Sequence, residues 1–385
     1  MTRIYFAAAI ILTLPGLAIR LAGVHPAPTL MAVTFGLAIL GAAFLLSWAA
    51  EVAQKDISQS LAVAILALIA VLPEYAVDLY FAWMAAKDPT YGHYATANMT
   101  GANRLLVGFG WPLIVLICLV RFRRPGVTLE KGHRTEVVYL GLATAYSIVI
   151  PIKGRLDLID MVVLLTIFSV YVKRIMGAQV HEPELIGPAK WLGEMPAGPR
   201  RLAAVLMFFF SGVVIFLSAE PFAESLVATG KGWGIDEFLL VQWLAPLASE
   251  APEFIIAAIW TFRGDAQAGL GALVSSKVNQ WTLLVGTIPL IYSISLGGIG
   301  ALQLDIVQEH ELWLTSAQSL LAVALLVNLS LSWYGALTLF VLFAAQLIFR
   351  EIRMPVSGVY VVLALLLVVR DRRHYPPLFR AIYKD

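Results

Sequence analysis

Cysteine is almost missing from this sequence: Cys118 is the single one in 385 residues. One thiol cannot close an internal disulfide, and it offers no thiolate cluster to a metal. Charge is scarce too. Only 14% of residues are Asp, Glu, Lys or Arg, while 60% are hydrophobic. No Gly-x-x-x-x-Gly-Lys-Ser/Thr loop is present, so the chain lacks the cradle that holds nucleotide phosphates and would not drive transport with ATP by itself. No His-Glu-x-x-His or Ser/His arrangement occurs, and the six histidines lie mainly in loops. An intramembrane enzyme is therefore disfavoured, and no cofactor is expected. A net charge of +2 gives no basic field that would mark a nucleic-acid partner.

What the chain has instead is long apolar runs broken by short charged stretches. A helix needs roughly 20 apolar residues to cross a hydrocarbon core of about 30 Å. A soluble enzyme would show polar faces at helical or strand period, and most segments here are apolar all round. The expectation is an all-α polytopic membrane protein with the lipid bilayer as its surroundings. About twelve spans can be drawn, near 4–24, 28–50, 58–86, 93–120, 135–151, 156–172, 203–229, 234–262, 267–297, 312–332, 333–349 and 356–369. Arg3 before the first run would suit a signal peptide, but the run's length and Arg20 favour a retained helix.

Lysine and arginine orient these spans. One cluster is Arg121, Arg123, Arg124, Lys131 and Arg134. A second is Lys173, Arg174, Lys190, Arg200 and Arg201. The third, in the tail, is Arg370, Arg372, Arg373, Arg380 and Lys384. All three fall on one side, which the rule assigns to the cytoplasm, together with both termini. The expected location is the inner (plasma) membrane of a prokaryote. The loop near 298–311, on the other side, is acidic through Asp305, Glu309 and Glu311. The proline-rich stretch 174–202 reads as a cytoplasmic linker between a half at 1–173 and a half at 203–385.

The two halves share a motif. Leu72-Pro73-Glu74 and Ala251-Pro252-Glu253 each sit deep in an apolar run, and each is followed by a span rich in Gly, Ala and Ser. Five spans can be assigned to each half, with one extra at each end. An odd number makes the second half insert upside down, and inverted repeats of this kind mark transporters. Proline removes a backbone donor, which frees the carbonyls of Ile69 and Ala248. Free carbonyls at membrane depth survive only where they face protein or line a wet cavity. A carboxylate one residue on adds charge to the same place, so each Pro-Glu helix is half of a cation site. Asp78 lies one turn beyond Glu74, and Glu250 three residues before Glu253, each on its partner's face. Asn98, Asn103, Asn279 and Gln280 are intramembrane amides that either meet an ion or hydrogen-bond between helices.

The chain resembles the sodium/calcium exchanger (cation/Ca²⁺ antiporter) superfamily. That family carries two inverted α-repeats, each a Gly-Thr-Ser-Leu-Pro-Glu helix followed by a helix with Gly-Asn-x-x-Gly-Ser-Asn. Leu72-Pro73-Glu74 and the stretch Ala97 to Asn103 match the first copy, within 58–121. Ala248 to Glu253 and the stretch Gly271 to Lys277 match the second, within 234–297. The resemblance implies a secondary antiporter that exchanges Ca²⁺ or another cation for Na⁺ or H⁺ by alternating access. It implies that Glu74 and Glu253 are the central metal ligands, assisted by Asp78, Glu250, Ser249, Asn98, Asn103, Ser276 and the carbonyls of Ile69 and Ala248.

The departures from that pattern carry information. Ala70-Val71 stand where the family has Thr-Ser. Glu250 replaces a hydroxyl. Lys277 takes the place of the second repeat's Asn or Asp, and Arg104 follows Asn103. Either base can compensate acid charge or act as a tethered cation, and an ion pair between helices is the simpler role for Arg104. Two alternatives stay open: a monovalent cation/proton exchanger in which Lys277 replaces a bound ion, and an exchanger-derived membrane protein that does not transport.

Overall fold

The structure is a computed structural model and describes residues 2–56, 72–176, 185 and 187–376. Ile69, Ala70 and Val71, and in the tail Arg380 and Lys384, lie outside the described residues. The fold is helical throughout, with two short two-stranded ribbons. Six described helices are long and apolar enough to cross a membrane unaided. The chain divides into two compact units, Met1–Phe81 with Ile175–Pro252, and Ala82–Arg174 with Glu253–Asp385. Both Pro-Glu helices, Leu72–Ala85 and Glu237–Phe262, start in the first unit and end in the second.

In the first unit, Thr2–Ala22, Pro28–Ala53 and Ala197–Trp233 pack through small residues. Pro28 opens its helix at a position where a missing N–H costs nothing. A Cβ on Gly41 would stand 2.4 Å from the carbonyl oxygen of Ala9. Glycine there lets two backbones touch, as membrane helices without a hydrophobic driving force must. Ala38, Ala42 and Leu46 meet Val214 and Ile215 in the same way.

Ala197–Trp233 has 37 residues, about 55 Å at 1.5 Å per residue, far more than the hydrocarbon thickness. Its first turn therefore reaches the aqueous boundary. There Arg200 donates twice to Asp56, 2.7 Å each, and Arg201 once at 2.9 Å. The Arg200 hydrogen bonds, with that of Arg201, outweigh desolvation and hold the Asp56 carboxyl down at about 2. Part of the proline-rich stretch 174–202 is helical. Gly187–Gly193 is a helix whose Ala189 and Leu192 join a core with Ala9, Leu45 and Trp48. Residues 177–184 and 186 of that stretch lie outside the described residues.

The second unit shows how its repeated parts are oriented. Gly126–Thr128 follows the third span of the first half and pairs with Ser330–Ser332, which follows the fourth span of the second half. Arg155–Leu156 follows the fourth span of the first half and pairs with Leu302–Gln303, which follows the third span of the second. Parallel copies would place third-span loop beside third-span loop. The observed cross-pairing requires the two copies to run in opposite senses. The segment between the ribbons in the first half, Arg134–Ser147 continued by Val149–Lys153, is about 30 Å long at 1.5 Å per residue. The ribbons thus stand one hydrocarbon thickness apart.

One expectation needs correcting here. The residues near 298–311 are not all loop. A helix begins at Ile306 and runs to Leu326, started by a reciprocal cap in which Asp305 accepts from the Gln308 amide and Gln308 accepts from the Asp305 amide, 2.8 Å each. Glu309 and Glu311 are therefore helical, and Glu311 is only 1% exposed. The cap lengthens the helix by more than a turn beyond its apolar run, which is why hydropathy alone placed its start too late.

Candidate functional site

Each repeat supplies the same sequence of elements. First comes the helix with its Pro-Glu step. In Leu72–Ala85, Glu74 is buried and Asp78, one turn on, is fully buried. In Glu237–Phe262, Pro246 and Pro252 both lie inside the helix, Ser249 and Glu250 are buried, and Ala248 and Glu253 are half-buried. Pro252 has no N–H to give the Ala248 carbonyl. Ser249 Oγ donates to the carbonyls of Ala245 and Pro246 at 3.2 Å, which leaves its lone pairs as acceptors. Glu74, Asp78, Ala248, Ser249 and Glu250 belong to the first unit. Asn98, Asn103, Arg104, Glu253, Ser276 and Lys277 belong to the second.

The next helix in each repeat is broken by a π turn. In the first repeat, Thr90–Leu105 leads into a π turn at Leu106–Gly110 and then Trp111–Phe122. In the second, Ala266–Asn279 leads into a π turn at Gln280–Leu284 and then Val285–Leu296. Trp111 N–H reaches the Leu106 carbonyl and Val285 N–H the Gln280 carbonyl, five residues back rather than four. Such turns are rare and concentrate at functional sites. They also give the two helices a common ruler. Asn103 stands three residues before one π turn, and Lys277 three residues before the other.

These two equivalent residues touch. Lys277 Nζ donates to Asn103 Oδ1 at 2.7 Å and lies 3.2 Å from the Asn103 backbone oxygen. The amide is set for this, because Asn103 Nδ2 donates to the Met99 carbonyl at 2.7 Å, which turns Oδ1 outward. The ammonium also sits 4.5 Å from the centre of the Trp281 ring, within cation–π range. Beside it, Ser276 Oγ donates to Glu253 Oε2 at 2.6 Å. Asn98, Asn103 and Lys277 are all buried, as are Asn279 and Gln280.

Arg104 leads elsewhere. Its guanidinium donates to Glu311, to Gln346 Oε1 at 2.9 Å and to the Thr100 carbonyl at 3.3 Å. Glu311 takes a second guanidinium, that of Arg353, on its other oxygen. The sequence reads Glu311 only as loop charge, and it does not single out Arg353 or Gln346. A signal existed. Gln308, Glu311, Thr315, Gln318 and Ser319 recur at helical spacing ahead of an apolar run, and all are buried. Charge compensation by Arg104 is thus directed at Glu311, which Arg353 shares.

Carboxylates, amide and hydroxyl oxygens and freed carbonyls are hard ligands, the set that Ca²⁺ takes. Among the described residues no cluster of three His, Cys, Asp or Glu side chains forms a metal cage. Any cation bound here must draw on amide, hydroxyl and carbonyl oxygens as well as on acids.

The sequence pattern of the sodium/calcium exchanger protein matches residues 27–176 and again 203–350, one match to each half. The chain belongs to the sodium/calcium exchanger family. Both matches leave out Thr2–Ala22 and Arg353–Arg370, the helices outside the repeats. Among solved structures, the H⁺/Ca²⁺ exchanger CAX is 44% identical over 99% of this chain and 97% of its own, with a TM-score of 0.96. The Ca²⁺/H⁺ antiporter protein YfkE is 16% identical, with 90% and 99% covered and a TM-score of 0.66. The sodium-calcium exchanger NCX_Mj is 18% identical, with 83% and 98% covered and a TM-score of 0.55; these two show the shared fold. No curated protein sequence matches the chain. This exchanger is an integral membrane protein and a cation antiporter, a transporter rather than an enzyme.

Proposed function

We propose that this exchanger moves Ca²⁺ against protons, with Glu74 and Glu253 as the carboxylates that carry the cargo. The observation that supports this most is the repeated Pro-Glu step at membrane depth, in a chain 44% identical to an H⁺/Ca²⁺ exchanger. An acid held away from water is costly when charged and alone. A pair of them is stable with a divalent cation or with protons, so one can replace the other. Asp78, Glu250, Ser249, Asn98, Ser276 and the freed carbonyl of Ala248 complete the oxygen set, because Ca²⁺ needs six to eight ligands. The halves 1–173 and 203–385 act as the two inverted repeats, joined by 174–202.

Orientation follows from charge. The ribbon of Gly126–Thr128 and Ser330–Ser332 is flanked by Arg121, Arg123, Arg124, Lys131 and Arg134. The ribbon of Arg155–Leu156 and Leu302–Gln303 is flanked by Asp157, Asp160, Asp305 and Glu309, with Lys153 bound to Asp160 at 2.6 Å. The positive-inside rule puts the first ribbon and both termini in the cytoplasm, in the inner membrane of a prokaryote.

Purified protein in sealed vesicles tests the proposal. A pH gradient, acid inside, should drive uptake of radioactive Ca²⁺ that a proton ionophore abolishes. Ca²⁺ uptake indifferent to the pH gradient would overturn it.

A further inference from the structure

Lys277 presents a problem of cost. Its side chain is 0% exposed on a helix inside the membrane, where a bare ammonium is expensive. Its surroundings answer that cost in a specific way. They offer an amide oxygen at 2.7 Å, a backbone carbonyl at 3.2 Å and an indole face at 4.5 Å. Carbonyl oxygens and a π face are what a small monovalent cation takes in exchange for its water. The seat is organised before the ammonium enters it, because Asn103 Nδ2 is tied to Met99 and cannot swing its oxygen away.

Repeat geometry adds a second argument. Asn103 and Lys277 hold equivalent places relative to their π turns, and the ribbons show the copies to be inverted. Equivalent residues of an inverted pair touch only beside the pseudo-twofold axis, and these two touch. Two asparagines there would present two amide oxygens to each other and leave room for one free cation between them. In this chain one asparagine is present and the other place holds a cation on a four-carbon stem. The neighbouring Ser276 keeps its bond to Glu253, so the filled seat adjoins a carboxylate assigned to the cargo.

We infer that Lys277 is a monovalent-cation site occupied by the chain's own ammonium, and that it bars Na⁺ from this place in the exchange cycle. The inference rests on the reading of this chain as a proton-coupled antiporter, and it explains why a proton rather than Na⁺ is the counter-ion. A fixed charge at the axis lets the protein keep the electrostatics of a loaded cation site through the whole cycle.

The test replaces Lys277 with the residue its equivalent carries. Purified wild type, Lys277→Asn and Lys277→Met are melted in detergent in NaCl and in choline chloride at equal ionic strength. Wild type should melt identically in both. Lys277→Asn should melt higher in NaCl, by about 2 °C or more if Na⁺ binds well below the concentration used. Lys277→Met, which offers no oxygen, should show no difference. In vesicles, Lys277→Asn should gain at least about a tenfold response of Ca²⁺ flux to a Na⁺ gradient. A folded Lys277→Asn insensitive to Na⁺ in both measurements would overturn the inference. So would Na⁺ stabilisation of wild type, or failure of every neutral variant to fold in either salt, since the ammonium would then be a structural strut. Melting needs no transport. If wild type lacks proton-driven Ca²⁺ uptake, the proposed function fails and the Lys277 result still stands by itself.

Discussion

The two π-broken helices make the most instructive pair in the molecule. Their backbones agree: a first helix of 16 or 14 residues, a five-residue π turn, then a helix of 12. Their chemistry does not. Where the first repeat has Asn103-Arg104, the second has Lys277-Val278. Where the first π turn has Gly108, the second has Thr282. Each repeat thus holds one buried base, and the two are put to different use. Arg104 is locked to Glu311, while Lys277 reaches across to the residue equivalent to itself. A repeat fixes where backbone distortions fall, and later divergence decides which side chains use them.

The largest effect should come from the first repeat's base. Glu311→Leu leaves Arg104 and Arg353 buried without the carboxylate that neutralises them. Removing one member of a buried ion cluster costs about 3–5 kcal/mol, so melting or surface yield should fall sharply. Replacing all three charged residues with apolar ones should recover much of that loss. A stable single variant would show that the Arg104 difference between repeats is incidental.

A smaller effect sharpens the π-turn comparison. A Cβ on Gly108 would come within 2.2 Å of Phe343. Gly108→Thr, the residue of the other repeat, should lower stability by about 1–3 kcal/mol, read from thermal melting. Glycine is needed there because Phe343 of Trp333–Ile348 fills the space. A neutral outcome would mean that the two π turns tolerate each other's side chains.

The parts of this arrangement that show in sequence are those that break a strong background. Pro73-Glu74 and Pro252-Glu253 stand out because a charge inside an apolar run is costly. Lys277 stands out because it falls at a repeated motif position. Glu311 and Arg353 did not, since each lies at the edge of an apolar run, where charge reads as the start of a loop. Structure moves both inward, Glu311 by its capped extra turn and Arg353 at the start of Arg353–Arg370, 7% exposed. The π turns leave no compositional trace, because widening a turn by one residue changes no hydropathy. The inversion of the repeats could be reached only by counting spans, whereas the two ribbons display it directly.

The proposed function requires each repeat to give one Pro-Glu carboxylate to the same cargo. Calorimetric Ca²⁺ titration of Glu74→Gln and of Glu253→Gln tests it most directly, on protein that elutes and melts like wild type. Both variants should bind Ca²⁺ at least about tenfold more weakly, a loss of about 1.4 kcal/mol. Wild-type affinity in either one would contradict the account, since cargo binding would then belong to a single repeat.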